Sequence, residues 1–246
     1  TILAVAMLAT TFVGCGGGGD TASTPTDDGS AAAPEITACI GPEPETLDPA
    51  LNKSVDGACY AVHAFEGIYK FDENGNTILG QAEKVDVSDD GLTWDITLRD
   101  DIKWSDGEPV TVDDFIYSWQ RAASPETASD YANLFDVIEG GADVYQGKAD
   151  PSTLGVTKVD DTHMTVQLAA PCPYFDKLLA FPIYYPVRQD VVEGNDSWTQ
   201  DPSTFIGNGP MMLTDWSHKE SITYVKNPYY YDADKVTDST LKFILL

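Results

Sequence analysis

One stretch, Leu92 to Arg121, leaves this chain the fewest options for its fold. Leu92, Trp94, Ile96 and Leu98 alternate with other residues, the period-two pattern of a strand with one buried face. Trp104-Ser105-Asp106-Gly107 then supplies turn residues, and the spacing predicts a helix from Thr111. Val112, Phe115, Ile116 and Trp119 fall at i, i+3, i+4 and i+7, so one helix face is apolar. Thr111 and Asp114 stand as in a capping box, with an acid one carbon shorter than Glu, and Pro125 marks the helix end. A half-buried strand followed by an amphipathic helix buries both apolar faces in one core, which points to an α/β fold.

The flanking segments extend that pattern. Val85 and Val87, ahead of Asp90-Gly91, predict a hairpin onto the Leu92 strand. A second hairpin is expected from Leu154 to Leu168, turning at Asp160-Asp161, with Met164, Val166 and Leu168 on one face. Met211 to Trp216 and Ile222 to Lys226 read as paired strands, stopped by Asn227-Pro228. Ile36 to Ile40 reads as a first strand, broken by Gly41-Pro42-Glu43-Pro44. Ala61, Ala64, Phe65 and Ile68 have helical spacing and predict a helix over Ala61 to Tyr69. Leu241 to Leu246 reads as a strand that runs off the end, as in a truncated chain. Many short strands without an internal repeat favour mixed sheets over a barrel.

Hydrophobic residues make up 42% of the 246 positions, enough for a packed core. The formal charge of −26, from 40 acidic against 14 basic residues, repels nucleic acid and anionic lipid and argues against both as partners. Cys15, Cys39, Cys59 and Cys172 show neither a zinc spacing nor a Cys-x-x-Cys pair. With Cys15 used elsewhere, three thiols allow one disulfide and one free cysteine. Cys39 and Cys59 are the nearer pair in sequence, and connectivity stays open.

Residues 1–14 are an apolar run of signal-peptide length, too short to span a bilayer with ordinary flanks. They lack an initiator Met and a positive leading region, so a truncated signal peptide is expected. Phe12-Val13-Gly14-Cys15 resembles the lipobox of bacterial lipoproteins, with Phe12 in place of the usual Leu. That resemblance implies diacylation of Cys15, which becomes the mature N-terminus. Residues 15–35, rich in Gly, Ser, Thr, Asp, Ala and Pro, then form a disordered tether. Two acyl chains, at about 0.8 kcal/mol per buried methylene, anchor stably. The expected location is extracytoplasmic, lipid-anchored to the cell membrane.

Catalytic chemistry finds little support. His63, His163 and His218 lie far apart and outside any metal-binding spacing. There is no Gly-x-Ser-x-Gly elbow and no phosphate loop. Asp72, Asn74 and Asn76 fail as a calcium loop, because Thr77 stands where Gly is needed; a turn at Asn74-Gly75 explains them. A glycosidase-like carboxylate pair can be drawn among so many acids, but nothing selects one. No catalytic residue, metal or cofactor is assigned, and a secreted glycoside hydrolase-type enzyme is the competing class.

Several segments together carry a family resemblance. They are Glu45-Thr46-Leu47-Asp48-Pro49, Phe65-Glu66-Gly67-Ile68-Tyr69, Leu98 to Thr111 around Lys103-Trp104-Ser105-Asp106-Gly107, and Asp113 to Arg121. Downstream follow Thr127 to Ala132, Leu154-Gly155-Val156, Pro171 to Phe175 and Asn208-Gly209-Pro210. In order and spacing this set, over roughly residues 44–246, resembles the family 5 extracellular solute-binding proteins, most closely their oligopeptide-binding branch. The resemblance implies a periplasmic-binding-protein-like type II clamp with mixed sheets and an extra inserted domain. Residues 36–65 and 188–246 would belong to the first lobe and residues 66–187 to the inserted domain, with the second lobe following Leu246.

The implied function is capture of oligopeptides for the permease subunits of an ABC importer, by a monomer. Other ligands in the family include sugar, nickel and haem, and the same clamp serves as a peptide-signal receptor. Sparse histidines argue against nickel. Motif alignment implies that Val55 offers backbone groups to a peptide main chain and that Tyr131 lends a hydroxyl or ring to the pocket wall. It implies that Asn208 reaches the ligand with its amide, while Gly209 lets the chain pass close by. The Trp104–Gly107 signature reads as specifying the fold rather than touching ligand.

Overall fold

The strand–turn–helix unit forms as its residue pattern dictates. The computed structural model describes residues 34–246; the apolar run 1–14, Cys15 and the tether up to residue 33 lie outside the described residues. Chain order is β1 (Glu35–Ala38), α1 (Val55–Ala64), β2 (Tyr69–Phe71), β3 (Thr77–Leu79), β4 (Ala82–Val87), β5 (Thr93–Leu98), α2 (Val112–Ala123), β6 (Val156–Lys158), β7 (His163–Gln167), β8 (Met211–Ser217), β9 (Ser221–Lys226) and β10 (Thr240–Ile244), with shorter helical segments between.

One four-stranded sheet has the order β4-β5-β7-β6, antiparallel throughout. Trp94, Ile96 and Leu98 of β5 are buried, and Trp94 and Ile96 stand opposite Val166 and Met164. In α2 the Asp114 carboxylate accepts from the Thr111 N–H at 2.8 Å and from its hydroxyl at 3.2 Å, which caps the helix start. Phe115 and Trp119 are fully buried, and the Trp119 indole donates to the Tyr184 carbonyl at 2.8 Å. Such an indole brings its apolar area inside with its one donor satisfied.

The other four-stranded sheet has the order β1-β10-β9-β8. Its β8-β9 and β9-β10 pairs are antiparallel, whereas β1 joins β10 in parallel. Helix α1 docks here: the Tyr60 ring meets Phe243 edge-on, with centroids 5.1 Å apart. A two-stranded hairpin, β2-β3, turns at Gly75, whose φ of +78° suits glycine. The Asp72 carboxylate there accepts from the Asn74 and Asn76 amides, both at 2.8 Å, so this loop is a turn.

The signature turn ties distant segments together. The Ser105 N–H donates to the Gly207 carbonyl at 2.8 Å, and the Asp106 carboxylate pairs with Arg188. Gly107 holds φ at +94° against the Tyr229 ring. Trp104 is buried.

The helix expected over Ala61 to Tyr69 is corrected. Ser54 caps a helix that starts at Val55, and Phe65 leaves it with φ −129° and ψ 156°. The apolar spacing persists past Ala64, but the backbone of Glu66 is drawn out of the helix by the Asn208 amide. Tertiary pairing overrides local periodicity here.

Candidate ligand-binding site

The residues singled out from sequence separate into an open mouth and a closed junction. The mouth begins at Asp48, whose buried carboxylate receives both terminal nitrogens of Arg121, at 2.6 and 3.1 Å. A bidentate pair of this kind fixes geometry as well as charge. It pins the loop before α1 to the end of α2, joining two of the motifs that carry the family resemblance. Asn52 follows. Its amide donates to the Ser54 carbonyl at 3.0 Å and lies where a side chain on Gly57 would clash, 1.9 Å from an added Cβ. The Ser54 hydroxyl in turn accepts from the Gly57 N–H at 2.9 Å, an N-cap bond.

This locked start presents Val55. Its side chain is 81% exposed, unusual for a valine on a packed helix. Helix geometry leaves first-turn N–H groups without intrahelical partners, and the Val55 N–H has no acceptor among the described residues. Tyr131 stands across the same hollow, half-buried, its ring edge-on to Phe181 at 5.6 Å. Its hydroxyl has no hydrogen-bond partner among the described residues. The structure therefore brings Val55 and Tyr131 together around one cavity of about 230 Å³.

Asn208 and Gly209 lie at the junction instead. Asn208 is 1% exposed; its Oδ1 accepts from the Glu66 N–H at 3.0 Å and its Nδ2 donates to the Glu66 carbonyl at 2.8 Å. The side chain thus acts like one more backbone unit paired to the Phe65–Gly67 segment. The Gly209 N–H donates to the Ala64 carbonyl at 2.8 Å, and an added Cβ would fall 2.5 Å from the Ala64 carbonyl carbon. Nearby, the Glu66 carboxylate collects Lys70 at 2.9 Å, Gln81 at 3.1 Å, and the Tyr230 and Tyr231 hydroxyls at 2.5 and 2.8 Å. Burial first, then the Glu66 charge, holds the Tyr230 phenol protonated well above its ordinary range.

No group of three or more His, Cys, Asp or Glu side chains among the described residues is placed to hold a metal ion. Cys39, Cys59 and Cys172 are unbridged; Cys39 is exposed and Cys172 buried.

Comparison with known proteins gives this geometry its setting. Residues 77–244 match the family described as bacterial extracellular solute-binding proteins, family 5, middle region. The chain belongs to the family 5 solute-binding proteins. A dipeptide-binding protein of Lactococcus lactis subsp. cremoris is 41% identical over 184 residues, 72% of this chain and 33% of the relative. The oligopeptide-binding protein OppA of Bacillus subtilis is 36% identical over 234 residues, 94% of this chain and 43% of the relative. The structure of Listeria monocytogenes OppA bound to peptide superimposes with a TM-score of 0.82 at 34% identity, covering 86% of this chain and 43% of that one. The fold is thus that of the type II clamp, and the chain spans less than half the length of these relatives.

Several residues of this family 5 chain escape sequence reasoning. Ser54 and Gly57 carry a readable sign, a capping residue followed by a small one. Phe181 and Glu66 gave no hint of their roles, because Tyr131 and Tyr230 reach them from segments far along the chain.

Proposed function

We propose that this chain supplies the first lobe and inserted domain of an extracytoplasmic, lipid-anchored binding protein that captures oligopeptides for an ABC importer. The observation that carries the reading is the unmet Val55 N–H, held beside the free Tyr131 hydroxyl above an apolar hollow. A peptide main chain offers the carbonyl that such an N–H lacks. The peptide named with the Listeria structure and the names of the curated relatives support the same ligand class. Asn208 and Gly209 serve this site by fixing the Ala64–Gly67 backbone. The protein acts by binding and release, without catalysis, as a monomer that closes over its ligand. Cys15 is the lipidated residue in this reading, with residues 1–14 as its leader. Residues 36–65 and 188–246 form the first lobe and residues 66–187 the inserted domain, a division supported by the two four-stranded sheets, each drawn from one of those sets.

The test is Val55→Pro in the whole soluble protein, with calorimetry against short peptides of graded length. Proline is accepted at the first helical position and Ser54 already has an extended backbone, so folding is expected to be unchanged. Losing one hydrogen bond to the ligand is expected to weaken binding about tenfold. Unchanged affinity refutes the role of Val55; no heat with any peptide refutes the ligand class.

A further inference from the structure

We propose that the hollow beside Val55 and Tyr131 is a side-chain subsite that selects an apolar ligand residue and rejects a charged one; this rests on the peptide-binding reading above. Its walls are Val55, Ala58, Tyr131, Phe181, Pro182 and Ile183. Of the polar side chains in the lining, Asn52 and Ser54 are spent on the helix cap, through the bonds at 3.0 and 2.9 Å, which leaves the neutral Tyr131 hydroxyl as the one open polar group among them. No charged residue lines the hollow.

Lys53, next in chain, already pairs with Glu45 at 3.1 Å. A carboxylate or ammonium pushed inside would therefore shed water and find no counter-ion. A leucine or phenylalanine side chain would instead cover the exposed Val55 and the Tyr131–Phe181 edge, gaining in proportion to the apolar area removed from water. The roughly 690 Å³ hollow beside Asp48 and Arg121 makes the contrast: its lining includes Glu126, Glu193 and Asp196 as well as the paired Asp48 and Arg121.

The preference is read with the whole protein and alanine-rich host peptides that carry Leu, Phe, Asp or Lys at one position at a time. At one peptide position, Leu or Phe is expected to bind about tenfold more tightly than Asp or Lys. Ala58→Leu, at a half-exposed helix position, fills the hollow and should bring the Leu-to-Ala affinity ratio toward one. Val55→Asp places an acid in the first helical turn, where the helix tolerates it, and should raise Lys relative to Leu at the same position. Peptides that bind with equal affinity whatever the residue overturn the subsite, as do ratios unmoved in either variant. Absence of binding by every peptide overturns both the subsite and the peptide-binding reading.

Discussion

The junction around Glu66 and Asn208 and the mouth around Val55 and Tyr131 use similar polar groups in opposite ways. At the junction the Glu66 backbone is paired on both sides by one amide, and its carboxylate is surrounded by four donors. At the mouth an N–H and a hydroxyl stay open among the described residues, next to a valine left mostly in water. A buried unpaired group costs the full penalty of lost hydration, whereas an exposed one costs almost nothing. Closed pairing therefore belongs where the fold is held, and open groups belong where a ligand can finish the pairing.

Substitutions can break this contrast, and the largest effect is expected where a buried charge loses its partner. Arg121→Ala strands the Asp48 carboxylate, and urea unfolding should show a loss of about 3–5 kcal/mol. Retained stability would mean that the ion pair does not brace the mouth from below. Asn208→Ala leaves the Glu66 N–H and carbonyl unpaired in the interior, with an expected loss of about 2–3 kcal/mol in the same measurement. A variant as stable as the parent but weak in peptide binding would return Asn208 to the mouth. Tyr131→Phe keeps the ring against Phe181 and deletes only the hydroxyl. Stability should stay within about 0.5 kcal/mol, while peptide affinity falls about fivefold.

The smallest effect is a pH dependence. Burial lowers the His63 imidazole below its usual value, partly offset by the bond it donates to the Cys59 carbonyl. A group whose folded value is depressed adds stability that is complete above the unfolded value, about 6.5, and is lost as pH falls through the folded value. Melting temperature should drop between neutral and mildly acid solution, and His63→Gln should flatten that drop. Identical slopes in the two proteins would show that His63 does not titrate in this window.

Legibility from sequence followed the range of the forces involved. Strand β5 and helix α2 could be read because Trp94, Ile96, Phe115 and Trp119 declare their faces within a few residues of one another. The Phe65–Ile68 segment was misleading, since its spacing is helical while its partner, Asn208, lies 142 residues away. The Asp48–Arg121 pair was invisible for the same reason, although both residues fell inside recognisable motifs. Val55 and Tyr131 were singled out through family resemblance, and no periodicity marks either. That Phe181 holds the Tyr131 ring is a fact of packing alone.

The parallel bond between β1 and β10 bears on how such a chain is made. Ile36 finds its partner in Leu241, so the sheet that seats α1 stays incomplete until nearly all of these residues have been synthesised. Meanwhile β4 and β5, neighbours in sequence, can zip early. Closure of the β1–β10 edge therefore waits on a contact between residues about two hundred positions apart, so one sheet can be settled while the other still has a strand to gain.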